Sequence, residues 1–478
     1  MSGEEKINNA ELVFIFFKDK FAGDLDVFYK NPNNFLSLKT LKRRNLLGIP
    51  LSDDDVPVSK EYIAIIKSMN FDVLASSKWL NGVAVYASTH QIEELNKVSF
   101  VEHVESFVKK NKGFNMLRKN KYSVNLSTSE EMPCISSAHN DKFDYRQQLE
   151  QLNLNKLHAM GLTGKGISIA IIDGWFKSAE RYGSKIFRRL WEENKIKDTF
   201  NFIEDNRDVY SKELPSNHGA RVLSICGGYY DGKSLNQSLR GSAYDADYYL
   251  YLTDDDSDVP EAEIYWIAAA ERADMFGVDI INSSLVYNIF EDDRYSYTYE
   301  QMDGKTSFIA RGAQIASDKG IIVVNGAGND GEDDWHYIGT PADNEGVFTI
   351  GGVDCLEHVF KSSSYGPNSS GVPKPDVSAK ASFVFGSQNY PKINVGHNNF
   401  GTSFSTPLVA GGIACLLQAI SPKTPRYIIK EVLKSSASLL MASSKVQLGC
   451  GVVDFAVALD KLLSDINNVV NDPDNKWN

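Results

Sequence analysis

Gly166-Ile-Ser-Ile-Ala-Ile-Ile-Asp173 is an almost unbroken β-branched and apolar run that ends in a carboxylate. A strand apolar on both faces is the kind that lies inside a parallel sheet covered on two sides. The same grammar returns twice downstream. Glu261 to Phe276 reads as a helix, Gly277 stops it, and Val278 to Asn282 follows as a short apolar strand. Thr306 to Lys319, Gly320 and Ile321 to Asn325 repeat that order. Helices stopped by glycine and followed by short strands imply right-handed crossovers in an α/β fold. In such sheets functional groups collect beyond the carboxyl ends of the strands, where Asp173 and Asn329 both fall.

Upstream of this unit the pattern differs. Leu12 to Phe17, Phe71 to Leu74, Val83 to Tyr86 and Val101 to Phe107 read as strands, and Leu38 to Leu47 as a charged helix. Tyr62, Ile65, Ile66 and Met69 fall at helical spacing, and Thr89 can cap a short helix carrying Ile92 and Leu95. These make a small α+β module over 11–107. Residues 108–145 are polar, with Lys109, Lys110, Lys112, Lys119 and Lys121 and little periodicity, and read as an exposed linker open to proteolysis. The α/β unit then runs over 146–462, with tails at 1–10 and 463–478.

The chain has 478 residues, beyond what one hydrophobic core usually organises. Its formal net charge of −12 repels phosphate backbones, so nucleic acid is not an expected partner. The longest apolar stretches break well before the roughly 20 residues that span a bilayer, so no transmembrane segment is expected. The start, Met-Ser-Gly-Glu-Glu-Lys, lacks the basic and apolar regions of a signal peptide, and the compartment stays open. Cys134, Cys226, Cys355, Cys415 and Cys450 form no Cys-x-x-Cys pair and read as core-type thiols.

Three residues carry a possible chemistry. Asp173 ends a strand, His218 sits in Asn217-His218-Gly219-Ala220, and Ser403 sits in Gly401-Thr402-Ser403-Phe404-Ser405-Thr406-Pro407. Aspartate, histidine and serine can form a nucleophilic triad. Ser403 precedes an apolar run to Ile420 that reads as a buried helix, whose N-terminal dipole suits an oxyanion. Gly326-x-Gly328-x-x-Gly331 matches a dinucleotide fingerprint with Asp354 as its acid, but the charged stretch after it ends in Gly339 and Pro341 rather than forming the required helix. Those glycines are better explained by Asn329 aiming its amide at developing negative charge.

Together these blocks resemble the subtilisin-like serine proteases, the subtilases, over residues 150 to 460. Gly401 to Pro407 matches the serine block Gly-Thr-Ser-x-x-x-Pro, and His218 to Val222 matches the histidine block. The resemblance implies a three-layer α/β fold with a mainly parallel sheet, with Asp173 as orienter, His218 as base and acid, Ser403 as nucleophile and Asn329 as oxyanion donor. It also implies substrate contacts from Ser284, Leu285, Val286 and Asp330. The upstream module, through Leu41-Lys42-Arg43-Arg44, Gly48-Ile49-Pro50 and Trp79-Leu80-Asn81-Gly82-Val83, looks like the prodomain of secreted Bacteroidetes subtilases. That implies a ferredoxin-like fold and an intramolecular inhibitor of a protein- or peptide-cleaving enzyme that is secreted or periplasmic. The family needs no cofactor but often binds structural calcium, for which Glu204 to Asp208, Asp254 to Asp258 and Asp330 to Asp334 are acidic candidates; no metal ligand set is expected. Trp175, Ala220 and Val286 depart from the family pattern, so a catalytically weak subtilase fold that serves for binding remains the alternative.

Overall fold

The computed structural model describes residues 10–109, 144–210, 216–388, 395–438 and 445–470. The first part is an antiparallel sheet of β1 (Ala10–Phe17), β2 (Ala75–Ser77), β3 (Gly82–Ser88) and β4 (Val101–Ser106) in the order β2-β3-β1-β4. Helices α1 (Leu38–Leu47) and α2 (Lys60–Ser68) connect β1 to β2, and α3 (Thr89–Leu95) connects β3 to β4. This is the ferredoxin-like arrangement. The two-residue period of β1 divides two cores: Val13, Ile15 and Phe17 pack with Ile66 and Val85, whereas Leu12 and Phe14 join Trp266 and Phe308 of the larger part.

Three details differ from the sequence reading. Phe71 to Leu74 do not form a strand; Phe71 turns into the module core and pairing begins at Ala75. On α2 the buried face centres on Ile66, so Ile63 packs inward while Ile65 is 43% exposed. Ser88, not Thr89, caps α3 through a reciprocal capping box with Gln91.

The larger part is built on seven parallel strands: β5 (Ser168–Asp173), β6 (Ile196–Asn201), β7 (Asp247–Leu252), β8 (Ile280–Ser283), β9 (Ile322–Gly326), β10 (Val347–Val353) and β11 (Val377–Lys380). Their order is β11-β10-β9-β8-β5-β7-β6. Helices α4 (His218–Gly227) and α7 (Thr402–Ala419) cover one face, and α5 (Glu261–Phe276) and α6 (Phe308–Asp318) cover the other. Alternate residues of β5 serve the two layers, Ile169 and Ile171 with Leu408 and Ile413, Ala170 and Ile172 with Trp266 and Ile309. The chain crosses from one side of β5 to the other between β7 and β8, which makes the end of β5 the switch point of the sheet. Beyond β11, a hairpin of β12 (Val384–Ser387) and β13 (Val395–Asn399) leads back to α7. Helix α7 is long and apolar enough to cross a membrane, but 89% of it is buried in this fold, as befits a core helix.

The small module rests on α5 and α6. Phe107 stacks on Phe308 with centroids 3.9 Å apart, and the Glu271 carboxylate accepts hydrogen bonds from Ser77 Oγ (2.6 Å), Lys78 N–H (3.1 Å) and Trp79 N–H (3.0 Å). At the end of α5, Gly277 has φ +80°, and a side chain there would collide with the backbone of Thr40 on α1. Here the two parts share a buried ionic cluster. Arg44 bonds Asp55 (2.9 Å) and Asp274 (2.7 Å), Arg43 bonds Asp274 (2.5 Å), and Lys319 bonds Asp55 (2.8 Å). Burial alone would push the Asp55 carboxyl up, but Arg44 and Lys319 outweigh it and hold the carboxyl down to about 2.

The thiol reading needs one correction. Cys226 and Cys415 are buried free thiols, and burial pushes Cys226 up to about 11. Cys355, by contrast, is disulfide-bonded. Cys134 and most of the expected linker lie outside the described residues. Lys109, read as exposed, is 8% exposed.

Candidate active site

Asp173 closes β5 fully buried, and its Oδ1 accepts the N–H of Gly174 (2.8 Å). The same oxygen lies 2.5 Å from Nδ1 of His218, the first residue of α4. A carboxylate only accepts, so Nδ1 carries a proton toward Asp173. The Phe404 ring lies beside His218, centroids 5.6 Å apart, and the Arg221 guanidinium lies 4.6 Å from the centroid of the same ring. Arg221 also donates to Asn399 Oδ1 (2.7 Å) and Asn398 O (3.0 Å), which ties α4 to β13. Burial brings this guanidinium down to about 10, with Asp173 opposing.

Ser403 lies in the first turn of α7, and the motif around it explains its setting. Pro407 has no N–H, so the Ser403 carbonyl loses its i+4 donor within the helix. Ser284 Oγ–H supplies one from just beyond β8 (2.9 Å), and Ser403 Oγ–H points back at Ser284 O (3.4 Å). Gly401 has φ +117°, and a side chain there would press on the Asn329 amide. Only glycine leaves both the backbone and that amide in place. Asn329 Oδ1 accepts the Thr402 N–H (2.9 Å), which fixes the amide and leaves Nδ2 as its donor end. Thr402 Oγ1 bonds Gly328 O (3.1 Å), so strand-end loop and helix start form one unit.

The expected substrate-contacting residues have different surroundings. Leu285 sends its side chain into the core, fully buried with Trp266 and Tyr287. Val286 is half-buried against Gly339, where any added side chain would strike it. Asp330 is half-buried; its N–H donates to Ser364 Oγ (3.0 Å) and its carboxylate accepts from Asn288 Nδ2 (3.2 Å). Trp175 packs into the core with Phe176 and Leu223. Sequence reading missed Thr402, Arg221 and Phe404. Thr402 and Phe404 stand inside the quoted serine block, whereas nothing local marks Arg221.

In two of the acidic runs the carboxylates are engaged by protein donors: Asp254 accepts from Asp256 N–H and Tyr287 O–H, Asp255 from Ser257, and Asp208 from Tyr210 N–H. Among the described residues no three His, Cys, Asp or Glu side chains converge on a metal position.

Residues 164–456 match the family model of the subtilases, peptidase S8. The chain belongs to the subtilase family. Residues 12–125 match a second model, the Bacteroidota propeptide domain of peptidase S8. The subtilase is 27% identical to subtilisin-like protease SBT6.1 of Arabidopsis thaliana, over 66% of this chain and 28% of that protein. It is 25% identical to serine protease AprX of Bacillus subtilis, over 61% of this chain and 66% of that one. With subtilisin of Bacillus pumilus it shares 24% identity over 65% of this chain and 97% of the other. It thus spans less than two thirds of the length of the first two of these relatives.

Proposed function

We propose that this chain is the zymogen of a serine endopeptidase. His218 Nε2 takes the Ser403 proton as Oγ attacks a peptide carbonyl, and Asp173 holds the imidazole tautomer and the imidazolium that forms. Asn329 Nδ2 and the Ser403 backbone N–H receive the oxyanion, aided by the start of α7. His218 then returns its proton to the leaving amine, and water repeats the sequence on the acyl-enzyme. Substrate would run past Ser284, Leu285 and Val286 by its backbone, since the Leu285 side chain is buried. No step uses a metal or cofactor.

The observation that carries this reading is the Asp173–His218 contact of 2.5 Å at the sheet's switch point. Thr402 supports it by linking the Ser403 turn to Asn329. Ser403 Oγ–H is turned to Ser284 O (3.4 Å), and hydrogen bonds of a catalytic group commonly tighten only once substrate binds. The propeptide match supports the small module as intramolecular inhibitor, with self-cleavage between about Phe107 and Asp144. A fluorophosphonate probe tests the proposal: the chain freed of its N-terminal module should label at Ser403, and Ser403→Ala should not. A folded chain that fails to label is a binding protein on a subtilase frame. On incubation, wild type should shorten to a fragment of about 37–41 kDa, the share of 53.2 kDa carried by the 334 to 371 residues that remain, while Ser403→Ala stays intact.

A further inference from the structure

Lys109 is the last described residue of the propeptide region, and it is seated rather than loose. Its N–H donates to Arg294 O (2.7 Å), and its ammonium lies 4.7 Å from the centroid of Tyr297 and 5.8 Å from that of Phe308. Tyr297 O–H donates to Glu263 Oε1 (2.7 Å), and the other oxygen of Glu263 accepts the Ile309 N–H (3.0 Å). Glu263 is 1% exposed, so a buried carboxylate backs the aromatic wall. Other charges facing the ammonium are Glu105, which attracts it, and Arg311, which repels it; those two pair with each other at 2.8 Å. A desolvated ammonium against ring faces and a buried carboxylate is a favourable cation–π setting.

The walls of this cradle divide between the two parts of the chain. Tyr297, Phe308, Glu263 and Arg294 belong to the subtilase domain, and Lys109 and Glu105 to the propeptide region. The cradle also reaches the candidate site by short contacts: Tyr297 N–H donates to Asn288 O (2.8 Å), and Asn288 Nδ2 to Asp330, the neighbour of Asn329.

We propose that the cradle of Tyr297, Phe308 and Glu263 is a subsite for a lysine or arginine side chain of a peptide substrate, N-terminal to the cleaved bond. Lys109 holds the place while the module is docked. The identification of the occupant as substrate rests on the protease reading above; the cation selectivity of the cradle does not. When the module leaves, Glu105 leaves with it, and Glu263 becomes the remaining facing carboxylate. Arg311 stays and opposes the ligand, so Arg311→Gln should tighten binding.

Two measurements test the two layers separately. In the full chain bearing Ser403→Ala, Lys109→Ala empties the cradle without any need for catalysis. n-Butylammonium at tens of millimolar should then raise its melting temperature by about 1 °C or more, by ligand linkage. n-Butanol should not, nor should butylammonium act on the Lys109 parent or on Lys109→Ala combined with Glu263→Gln. Equal effects of amine and alcohol overturn the cradle as a cation site. In the processed enzyme, peptides with lysine scanned through the positions before the cleaved bond should show one position preferred over norleucine. The gain in kcat/KM should be about fivefold to thirtyfold, the range of a desolvated cation–π contact. It should vanish in Glu263→Gln while cleavage of the norleucine peptide persists. Cleavage that ignores lysine at every position overturns the subsite and leaves the protease reading standing. Absence of cleavage with a positive melting result overturns the protease reading and leaves a cation cradle.

Discussion

Two regions of this chain solve the problem of holding charged groups in opposite ways. At the end of β5 one hydrogen-bonded contact, Asp173 with His218, is set by a strand end and a helix start, and backbone geometry does the rest. At the face of α5 and α6, five charged side chains, Arg43, Arg44, Asp55, Asp274 and Lys319, are buried together and pair with each other across the join between module and sheet. In the first region each residue stands at the end or start of its own element, and the two are 45 residues apart. In the second, Arg43 and Asp274 are 231 residues apart. The candidate chemistry can therefore be spelled in short motifs, while the seating of the module rests on pairings that no short motif contains.

The contrast predicts a clean separation of effects. Ser403→Ala or His218→Ala should lower turnover by on the order of 10⁶, since triad members act as a unit, and leave the melting temperature nearly unmoved. Arg44→Met should do the reverse. It leaves Asp55 with Lys319 alone and Asp274 with Arg43 alone in a buried site, at a cost of up to about 3–5 kcal/mol read by denaturant titration of the Ser403→Ala chain. A melting loss in Ser403→Ala as large as that in Arg44→Met would erase the division. Asn329→Ala sharpens it from the catalytic side: removing one oxyanion donor should cost on the order of 10²–10³ in turnover with KM little changed. A Michaelis analysis on processed enzyme gives the split.

Legibility followed the same line. The β-branched run of Ile169 to Ile172 and the glycine-stopped helices before β8 and β9 were readable because a doubly covered parallel strand admits almost no polar residue. Asp173, His218, Asn329 and Ser403 were nameable because each stands in a motif whose glycine or proline has a local backbone task. Arg43 and Arg44 read only as part of a charged helix, since a buried arginine is recognisable only when its partners are known. Lys109 and Ile65 failed for the same reason. Whether a lysine is covered, or which of two adjacent isoleucines turns inward, is decided by the surface that packs on it.

The pH dependence of stability separates the regions by sign. Asp55 is held at about 2, below the ordinary carboxylate value of 3.8, so its contribution is complete above about pH 4 and lost as pH falls through about 2. Asp343 lies in the larger part, with Oδ2 accepting the Gly304 N–H (2.8 Å), and burial pushes it up to about 7. Its contribution is complete below about pH 4 and lost as pH rises through about 7. Melting curves of the Ser403→Ala chain should therefore lose their acid limb in Asp55→Asn and flatten near neutrality in Asp343→Asn. If both variants keep the parent's pH profile, the two carboxyls are not the titrating groups.

The smallest effect tests the boundary between the regions, at the cleft. Asp330 is half-buried beside Asn288, so its carboxylate faces water in part and is worth about 1 kcal/mol or less to a nearby cation. Such a charge should give at most about a fivefold preference for Lys or Arg over Glu or Asp at the cleaved position, fading in high salt. Asp330→Asn should abolish the preference and its salt dependence together. The Tyr297 and Glu263 cradle should behave otherwise, because a desolvated contact is screened far less, so its lysine preference should survive salt that removes the effect of Asp330. Val286→Gly gives the steric counterpart: the side chain resting on Gly339 goes, and tolerance for bulky residues should widen with no change in charge preference. Peptide-library profiling of the three enzymes at low and high salt resolves these outcomes. A charge preference that persists unchanged in Asp330→Asn, with no gain in size tolerance in Val286→Gly, would move the substrate cleft away from both residues and leave Ser284 as the part of that wall tied to Ser403.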